Sequence, residues 1–159
     1  MQVKGASHIA PPGFNSTSKL GVLVDMSLFK DITYHDAVAP ATPTVSVGAG
    51  LIWTELYEWF KVNKKPVNVN GATSCQGVGV AGFVLGGGYG NKCNQYGLAM
   101  DCVEAIEVVT PTGEKVTTTR EEAKPGSLFW ALRVSGCIAS MLSMCSSWAL
   151  YREAEITSG

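Results

Sequence analysis

The sequence predicts a single α+β domain, and two observations lead to this class. The chain has 159 residues, of which 46% are hydrophobic, so it can bury one core but is short for two domains. Short β-branched runs bounded by turn-forming residues predict strands, and segments with helical spacing stand among them. Because the strands cluster and the helices are interspersed in a mixed order, we expect an α+β fold.

The first half of the chain contains two predicted strands and one predicted helix. Residues 20–26 (LGVLVDM) and 44–50 (TVSVGAG) are β-branched and flanked by turn formers, which indicates a strand in each. Residues 51–62 (LIWTELYEWFKV) place their apolar side chains on one side of an amphipathic helix. The aromatic stripe of this helix predicts a face that packs in the core.

The second half is less regular. Residues 66–69 (PVNV) predict a short strand, and residues 103–119 predict two strands joined by a Pro-Thr-Gly turn. Residues 127–133 (SLFWALR) have helical spacing after a Pro-Gly break. From Val134 onward the chain is rich in Ser, Met and Cys and shows no clear hydrophobic periodicity. This composition weakly indicates a helix over 138–151.

Composition argues against several classes of partner. The net charge is −1 with a pI near 6.1, so we expect neither a nucleic acid nor a membrane as partner. The first residues lack the apolar run of a secretion signal, and localisation is left open. Five cysteines at irregular spacing make a disulfide framework improbable. No CxxC pair exists and the only histidines are His8 and His35, so no metal is expected.

A glycine-rich region at residues 70–90 (NGATSCQGVGVAGFVLGGGYG) carries the strongest local signal. Gly77 to Gly82 match GxGxxG, and Asp101 follows about twenty residues later, as in a Rossmann dinucleotide site. The glycines at 86–88 allow only a short helix after this motif, whereas a Rossmann unit needs a longer one. The interpretation as a nicotinamide-binding protein is therefore disfavoured but stays open. Glycine also lets backbone amides approach an anion, so a pyrophosphate or a flat cofactor edge fits this run. A bend that packs tightly under another strand is the structural alternative.

A second loop of small residues, VKGASH at residues 3–8, ends in His8, while Cys75 stands just ahead of the glycine run. Together with YGLAMDCV and SLFWALR, the stretch CQGVGVAGFVLGGGYG resembles the FAD-linked oxidases with a PCMH-type FAD-binding domain. The resemblance is to the berberine-bridge-enzyme-like and oligosaccharide-oxidase branch and runs from about residue 3 to residue 133. It implies a mixed sheet with flanking helices.

The resemblance also implies the cofactor and the residues that hold it. In that family the histidine bonds to the C8α methyl of the isoalloxazine ring and the cysteine bonds to C6, which assigns bicovalent FAD to His8 and Cys75. A neutral imidazole and a thiolate are nucleophiles suited to an electron-poor ring. The remaining cofactor-binding residues implied are Gly5, Ala6, Ser7, Gly77, Val78, Gly79, Gly82, Phe83, Tyr96, Gly97, Leu98 and Val108, the last near the adenine end.

The activity implied is the two-electron oxidation of an alcohol, sugar or alkaloid-like substrate, with hydride passed to the flavin and then to molecular oxygen or another acceptor. No residue is nominated as the catalytic base. A non-catalytic remnant that does not hold FAD is the alternative, beside the nicotinamide-binding protein.

The chain departs from the family pattern at the first loop and at its ends. Residues 5–8 read Gly-Ala-Ser-His where the family usually has two or three glycines before the histidine. The pattern also implies an N-terminal lobe and a substrate domain, and we expect neither within these 159 residues. We therefore expect a fragment, inactive by itself, with a partial FAD-binding domain at 1–133 and a divergent tail at 134–159.

Overall fold

The computed structural model of the chain describes residues 2–8, 20–36, 42–73, 76–134, 142–149 and 151–152, and it confirms the α+β class. The strands are β1 (Gln2–Lys4), β2 (Leu23–Asp25), β3 (Ile32–His35), β4 (Thr44–Gly48), β5 (Val67–Asn68), β6 (Val103–Val109), β7 (Lys115–Thr119), β8 (Leu142–Ala149) and β9 (Tyr151–Arg152). The helices are α1 (Trp53–Val62), α2 (Val80–Leu85), α3 (Cys93–Tyr96) and α4 (Leu128–Val134), with 3-10 turns at Ala99–Cys102 and Arg120–Glu122.

The main sheet has five strands in the order β3-β4-β8-β6-β7, and every neighbouring pair is antiparallel. The predicted hairpin over 103–119 is confirmed as β6 and β7. Its turn is closed by the Gly113 amide, which donates to the Thr110 carbonyl at 2.9 Å. Gly113 has φ 85°, a left-handed conformation that glycine adopts without strain.

The expected helix over 138–151 is wrong, because β8 occupies residues 142–149 and lies in the middle of the main sheet. It pairs with β4 on one side and with β6 on the other, so backbone hydrogen bonds to two distant segments determine its conformation. Strand preference depends strongly on such neighbours. The division of the chain at residue 133 stays a prediction.

The core lies between the main sheet and the helices. Helix α1 buries Trp53, Leu56 and Phe60, which confirms the predicted aromatic face, and α4 buries Phe129 and Leu132. The strands contribute a set of small aliphatic residues, namely Val45, Val47, Val103, Ile106 and Val108. Full burial of a large apolar side chain stabilises a fold by about 1.5–3 kcal/mol.

Two further strand pairs flank the main sheet. Strands β1 and β2 are parallel, and the Met26 amide donates to the Lys4 carbonyl at 2.9 Å just beyond them. Strand β5 is antiparallel to β9. In the ranges described above, no helix combines the length and the apolar character needed to cross a membrane.

Candidate functional site

The first predicted loop follows β1 and ends at the exposed His8. Ser7 has φ 57°, a left-handed conformation that side chains other than glycine adopt at a cost. Its Oγ atom is buried and has no hydrogen-bond partner among the described residues. A buried hydroxyl without a partner costs about 1–3 kcal/mol, so this loop carries strain and an unused donor at the same residue.

The second predicted loop is attached to the start of α1. The Val80 amide donates to the Leu51 carbonyl at 2.9 Å, and the Trp53 amide donates to the Val78 carbonyl at 3.0 Å. Gly79 therefore forms an isolated antiparallel bridge opposite Ile52. These bonds hold Val78 and Gly79 on the rigid end of a packed helix.

The two loops touch each other at Ala6 and Gly79. A Cβ added to Gly79 would lie 2.8 Å from the Ala6 Cβ and 3.2 Å from the Ala6 amide nitrogen, so glycine is needed for this close approach. Gly5 lies beside the Ala49 carbonyl, 3.7 Å from the position of a Cβ. The structure thus brings two distant small-residue segments into one surface, as the interpretation of a shared cofactor site requires.

Cys75 lies outside the described residues. The convergence of His8 and Cys75 on one ring therefore stays a prediction. The segment that leads toward Cys75 is held by Tyr57, whose hydroxyl donates to the Ala72 carbonyl at 2.8 Å. Burial raises the pKa of Tyr57 to about 12, so the hydroxyl keeps its proton throughout the neutral range.

Helix α2 presents two kinds of surface. Val80 and Val84 are buried, and Phe83 packs edge-on against Trp53 with ring centroids 5.5 Å apart. Gly82 is exposed, and a Cβ there would meet no described atom within 4 Å. Gly77, just before the helix, is half-buried and has φ 85°, and a Cβ there would likewise meet no described atom within 4 Å. The backbone of Gly82, and part of that of Gly77, is accessible to a bound molecule.

The topology of the described residues argues against the nicotinamide-binding alternative. A Rossmann unit needs a parallel strand-helix-strand crossover around its glycines. Here α2 has six residues, and the preceding strand β5 pairs antiparallel with β9.

The third predicted segment, Tyr96-Gly97-Leu98, follows the short helix α3. Gly97 has φ 76°, and Leu98 is 40% exposed. Asn70, which is 1% exposed, donates from Nδ2 to the Gly97 carbonyl at 2.7 Å. Asp101 accepts the Leu98 amide at 2.8 Å through Oδ2 and forms an ion pair with Arg133 through Oδ1. These contacts give the segment a defined conformation.

Val108, predicted near the adenine end, lies in the core. Its side chain is fully buried, and it pairs in register with Val116 of β7 and Ser143 of β8. The structure does not bring the Val108 side chain to the surface formed by the loops. Its proposed role at the adenine end stays a prediction.

Two cysteines and one histidine outside the predicted site make contacts within the protein. Cys102 is buried and its Sγ contacts the carbonyls of Tyr96 and Leu98 at 3.6 Å, while Cys93 accepts the Gly90 amide at 3.0 Å. Both behave as packed thiols. His35 is exposed and contacts the Ser46 hydroxyl at 2.8 Å through Nε2. No cluster of metal-ligating side chains occurs in the part of the chain that the structure describes.

Sequence reasoning missed Asn70 and Arg133 and misjudged Asp101. The sequence analysis considered Asp101 only as the acidic residue of a Rossmann dinucleotide site, whereas its carboxylate is occupied by the Leu98 amide and Arg133. The three-residue spacing from Leu98 to Asp101 at the start of a 3-10 turn is a capping pattern that could have revealed this. No local pattern indicates Asn70 or Arg133, because their partners are 27 and 32 residues away.

Comparison with known proteins identifies the family of this chain. The family model described as "FAD binding domain" matches residues 3–119. Tetrahydroberberine oxidase of Argemone mexicana is 32% identical over 148 residues, covering 92% of this chain and 24% of that protein. The chain spans between 18 and 25% of the length of the first five curated relatives it matches.

Solved structures show the same fold. The BBE-like 1 protein of Physcomitrella patens superimposes with a TM-score of 0.69 at 31% identity, covering 82% of this chain and 27% of that one. The glucooligosaccharide oxidase of Acremonium strictum, described with a 6-S-cysteinyl, 8α-N1-histidyl FAD, superimposes with a TM-score of 0.66 at 24% identity. This superposition covers 82% of this chain and 26% of the oxidase, and at 24% identity the similarity shows the fold alone.

Proposed function

Since the chain belongs to the FAD binding domain family of FAD-linked oxidoreductases, in its berberine-bridge-enzyme-like and oligosaccharide-oxidase branch, we propose that it holds FAD covalently through His8 and Cys75. The reaction proposed for the enzyme is the two-electron oxidation of an alcohol, sugar or alkaloid-like small molecule. When bound, FAD supplies the acceptor for the substrate's hydride, and molecular oxygen or another acceptor then takes the electrons. We expect neither nucleic acid nor membrane to be a partner.

The observation that carries this proposal is the meeting of the two small-residue loops at Ala6 and Gly79. One loop ends in an exposed imidazole, and the other follows the position of the thiol. A cofactor held between such loops meets backbone amides with little side-chain bulk in the way. The loop contact therefore supports a single cofactor-binding surface.

Ser7 provides a test of fit for FAD. Its buried hydroxyl has no partner among the described residues, and its backbone is held in the left-handed region. A phosphate or flavin oxygen placed over this loop would accept the hydroxyl proton and relieve the cost of its burial. Strained residues with unmet polar groups are typical of ligand sites, which supports the assignment.

The proposed roles of the chain's own residues follow from their chemistry. His8 and Cys75 would hold the ring by one covalent bond at each of two edges, which would fix its orientation. Forming either bond would take the proton from the nucleophile and leave the flavin reduced by two electrons, and molecular oxygen would then reoxidise it. The absence of side chains at Gly77 and Gly82 allows the backbone to approach the pyrophosphate. The segment Tyr96-Gly97-Leu98 lines the flavin. None of these groups is assigned as the catalytic base.

The experiment is to purify the 159-residue chain after expression with FAD, precipitate it with acid, and measure flavin absorbance in the pellet. We expect flavin to remain with the protein and intact mass to rise by one FAD. His8→Ala and Cys75→Ala should each leave one bond, and the double variant should release the flavin. His35→Ala and Cys93→Ala are matched controls that replace the same side-chain types elsewhere.

The outcomes separate the alternatives. Colourless, folded protein that gains no thermal stability with FAD would refute the proposal and support a non-catalytic remnant. Flavin that is retained by the His8→Ala/Cys75→Ala double variant would refute the two attachment points. A ligand at a hundred times its Kd stabilises a protein by about 2.7 kcal/mol, so a thermal shift detects even noncovalent binding.

A further inference from the structure

Three side chains from separate parts of the chain hold the segment Tyr96-Gly97-Leu98. We call Asn70, Asp101 and Arg133 the clamp. Asn70 donates to the Gly97 carbonyl, Asp101 accepts the Leu98 amide, and Arg133 pairs with Asp101. Both the carbonyl of Gly97 and the amide that follows it are therefore satisfied by side chains.

The clamp and the glycine fit each other closely. Gly97 has φ 76°, and a Cβ at this position would lie 2.7 Å from Asp101 Oδ2. A side chain at this position would meet the carboxylate and strain the backbone. The left-handed conformation of Gly97 and the placement of the Asp101 carboxylate thus depend on one another.

Arg133 determines the direction of this carboxylate. It lies in the last turn of α4, and its side chain and that of Asp101 are each 37% exposed. Because Arg133 binds Oδ1, Oδ2 remains directed at the Leu98 amide at 2.8 Å. A charge-assisted hydrogen bond of this kind is stronger than a neutral one.

We propose that Asp101, oriented by Arg133 and supported by Asn70, is a positioning residue that holds Tyr96-Gly97-Leu98 ready to receive the flavin edge. The inference rests on the proposed function, because that function places this segment at the flavin. A segment already held in its binding conformation loses less entropy on binding, which increases affinity. Asp101 and Arg133 act through the segment and do not contact the cofactor in this scheme.

The test compares Arg133→Met and Asp101→Asn with Lys115→Met. The control removes the cation of the Lys115–Glu107 ion pair, 2.9 Å long, on the β6-β7 hairpin and away from the loops. In the His8→Ala/Cys75→Ala background, where FAD binds reversibly, we expect the first two variants to weaken FAD binding by about 3- to 10-fold and to change the visible circular dichroism of the bound flavin. Their double variant should be no worse than either single one, because both remove the same pair. Arg133→Lys should restore most of the affinity.

Hydrogen exchange of the chain without FAD gives an independent measurement. The Leu98 amide should exchange about tenfold faster in the two clamp variants than in the Lys115→Met control. If the unmodified chain binds FAD and the clamp variants change neither the exchange of the Leu98 amide nor flavin binding, the role proposed for the clamp is refuted. The proposed function then stays intact. An original chain that binds no FAD would overturn the proposed function and, with it, the role given to the clamp.

Discussion

Replacement of Ser7 by alanine should stabilise the empty chain and weaken its binding of FAD. The variant removes a buried hydroxyl that has no partner among the described residues, and an unmet buried hydroxyl costs about 1–3 kcal/mol. It leaves the left-handed backbone, φ 57°, unchanged. We therefore expect the free energy of unfolding to rise by about 1 kcal/mol, which for a chain of this size is a Tm increase of about 2–4 °C.

The same variant loses the hydrogen bond that Ser7 would donate to the cofactor. A loss of about 1 kcal/mol corresponds to FAD binding that is about fivefold weaker. Ser7→Gly should weaken FAD binding by the same amount as Ser7→Ala. It should also remove the strain of the left-handed backbone, and the greater freedom of glycine in the unfolded chain should offset part of this gain in stability. Opposite signs for stability and affinity are the signature of a polar group kept for a ligand.

Thermal unfolding with and without FAD measures both effects, and the affinity is measured in the His8→Ala/Cys75→Ala background, where FAD is not covalently attached. Ser127→Ala is the matched control, because the Ser127 hydroxyl accepts the Trp130 amide at 3.2 Å, and its loss should lower stability by about 1 kcal/mol. The reasoning would be refuted if Ser7→Ala lowered the Tm of the empty chain as Ser127→Ala does, or if its affinity for FAD were unchanged.

Two further predictions concern the elements that carry the loops. Gly79→Ala should lower both the Tm and the FAD affinity, because its Cβ would lie 2.8 Å from the Ala6 Cβ. Gly82→Ala should raise the Tm of the empty chain, because its Cβ in α2 would meet no described atom and alanine adds about 1 kcal/mol of helix propensity. Equal shifts of the two variants in thermal scans would contradict this reasoning. The hydrogen bonds from Lys4 and then from the Ser27 amide lower the pKa of Asp25 to about 2. Because the folded-state pKa is depressed, the contribution of Asp25 is present above pH 4 and is lost as the pH falls toward 2, so Asp25→Asn should flatten the Tm profile over that range. A profile identical to that of the original chain would count against the Lys4–Asp25 pair between β1 and β2.

The glycines of this chain act in two different ways. Gly79 and Gly97 are required by their surroundings, since a Cβ at either would meet Ala6 or Asp101. A Cβ at Gly82 would meet nothing among the described residues, and glycine in a helix costs about 1 kcal/mol relative to alanine. A costly residue without an internal reason is consistent with the approach of a ligand, which is the role that the proposed function gives it.

The sequence by itself determined the elements with a strong local period and the class of site. Strand β4, helix α1 and the β6-β7 hairpin lie within the predicted segments, because alternating or helical spacing of apolar residues is a local property. The two small-residue loops and the family resemblance could also be recognised from the sequence, because glycine-rich motifs keep a fixed spacing along the chain. The predicted membership of the FAD-linked oxidases is confirmed.

Only the tertiary structure decided the features that depend on distant partners. Strand β8 reads LSMCSSWA, in which large residues alternate weakly with small ones, and its conformation follows from pairing with β4 and β6. The contact of Ala6 with Gly79 and the bonds of Asn70 to Gly97 and of Arg133 to Asp101 join segments far apart in the chain. Local sequence carries no information on such pairs, because burial and hydrogen bonding are properties of the packed whole.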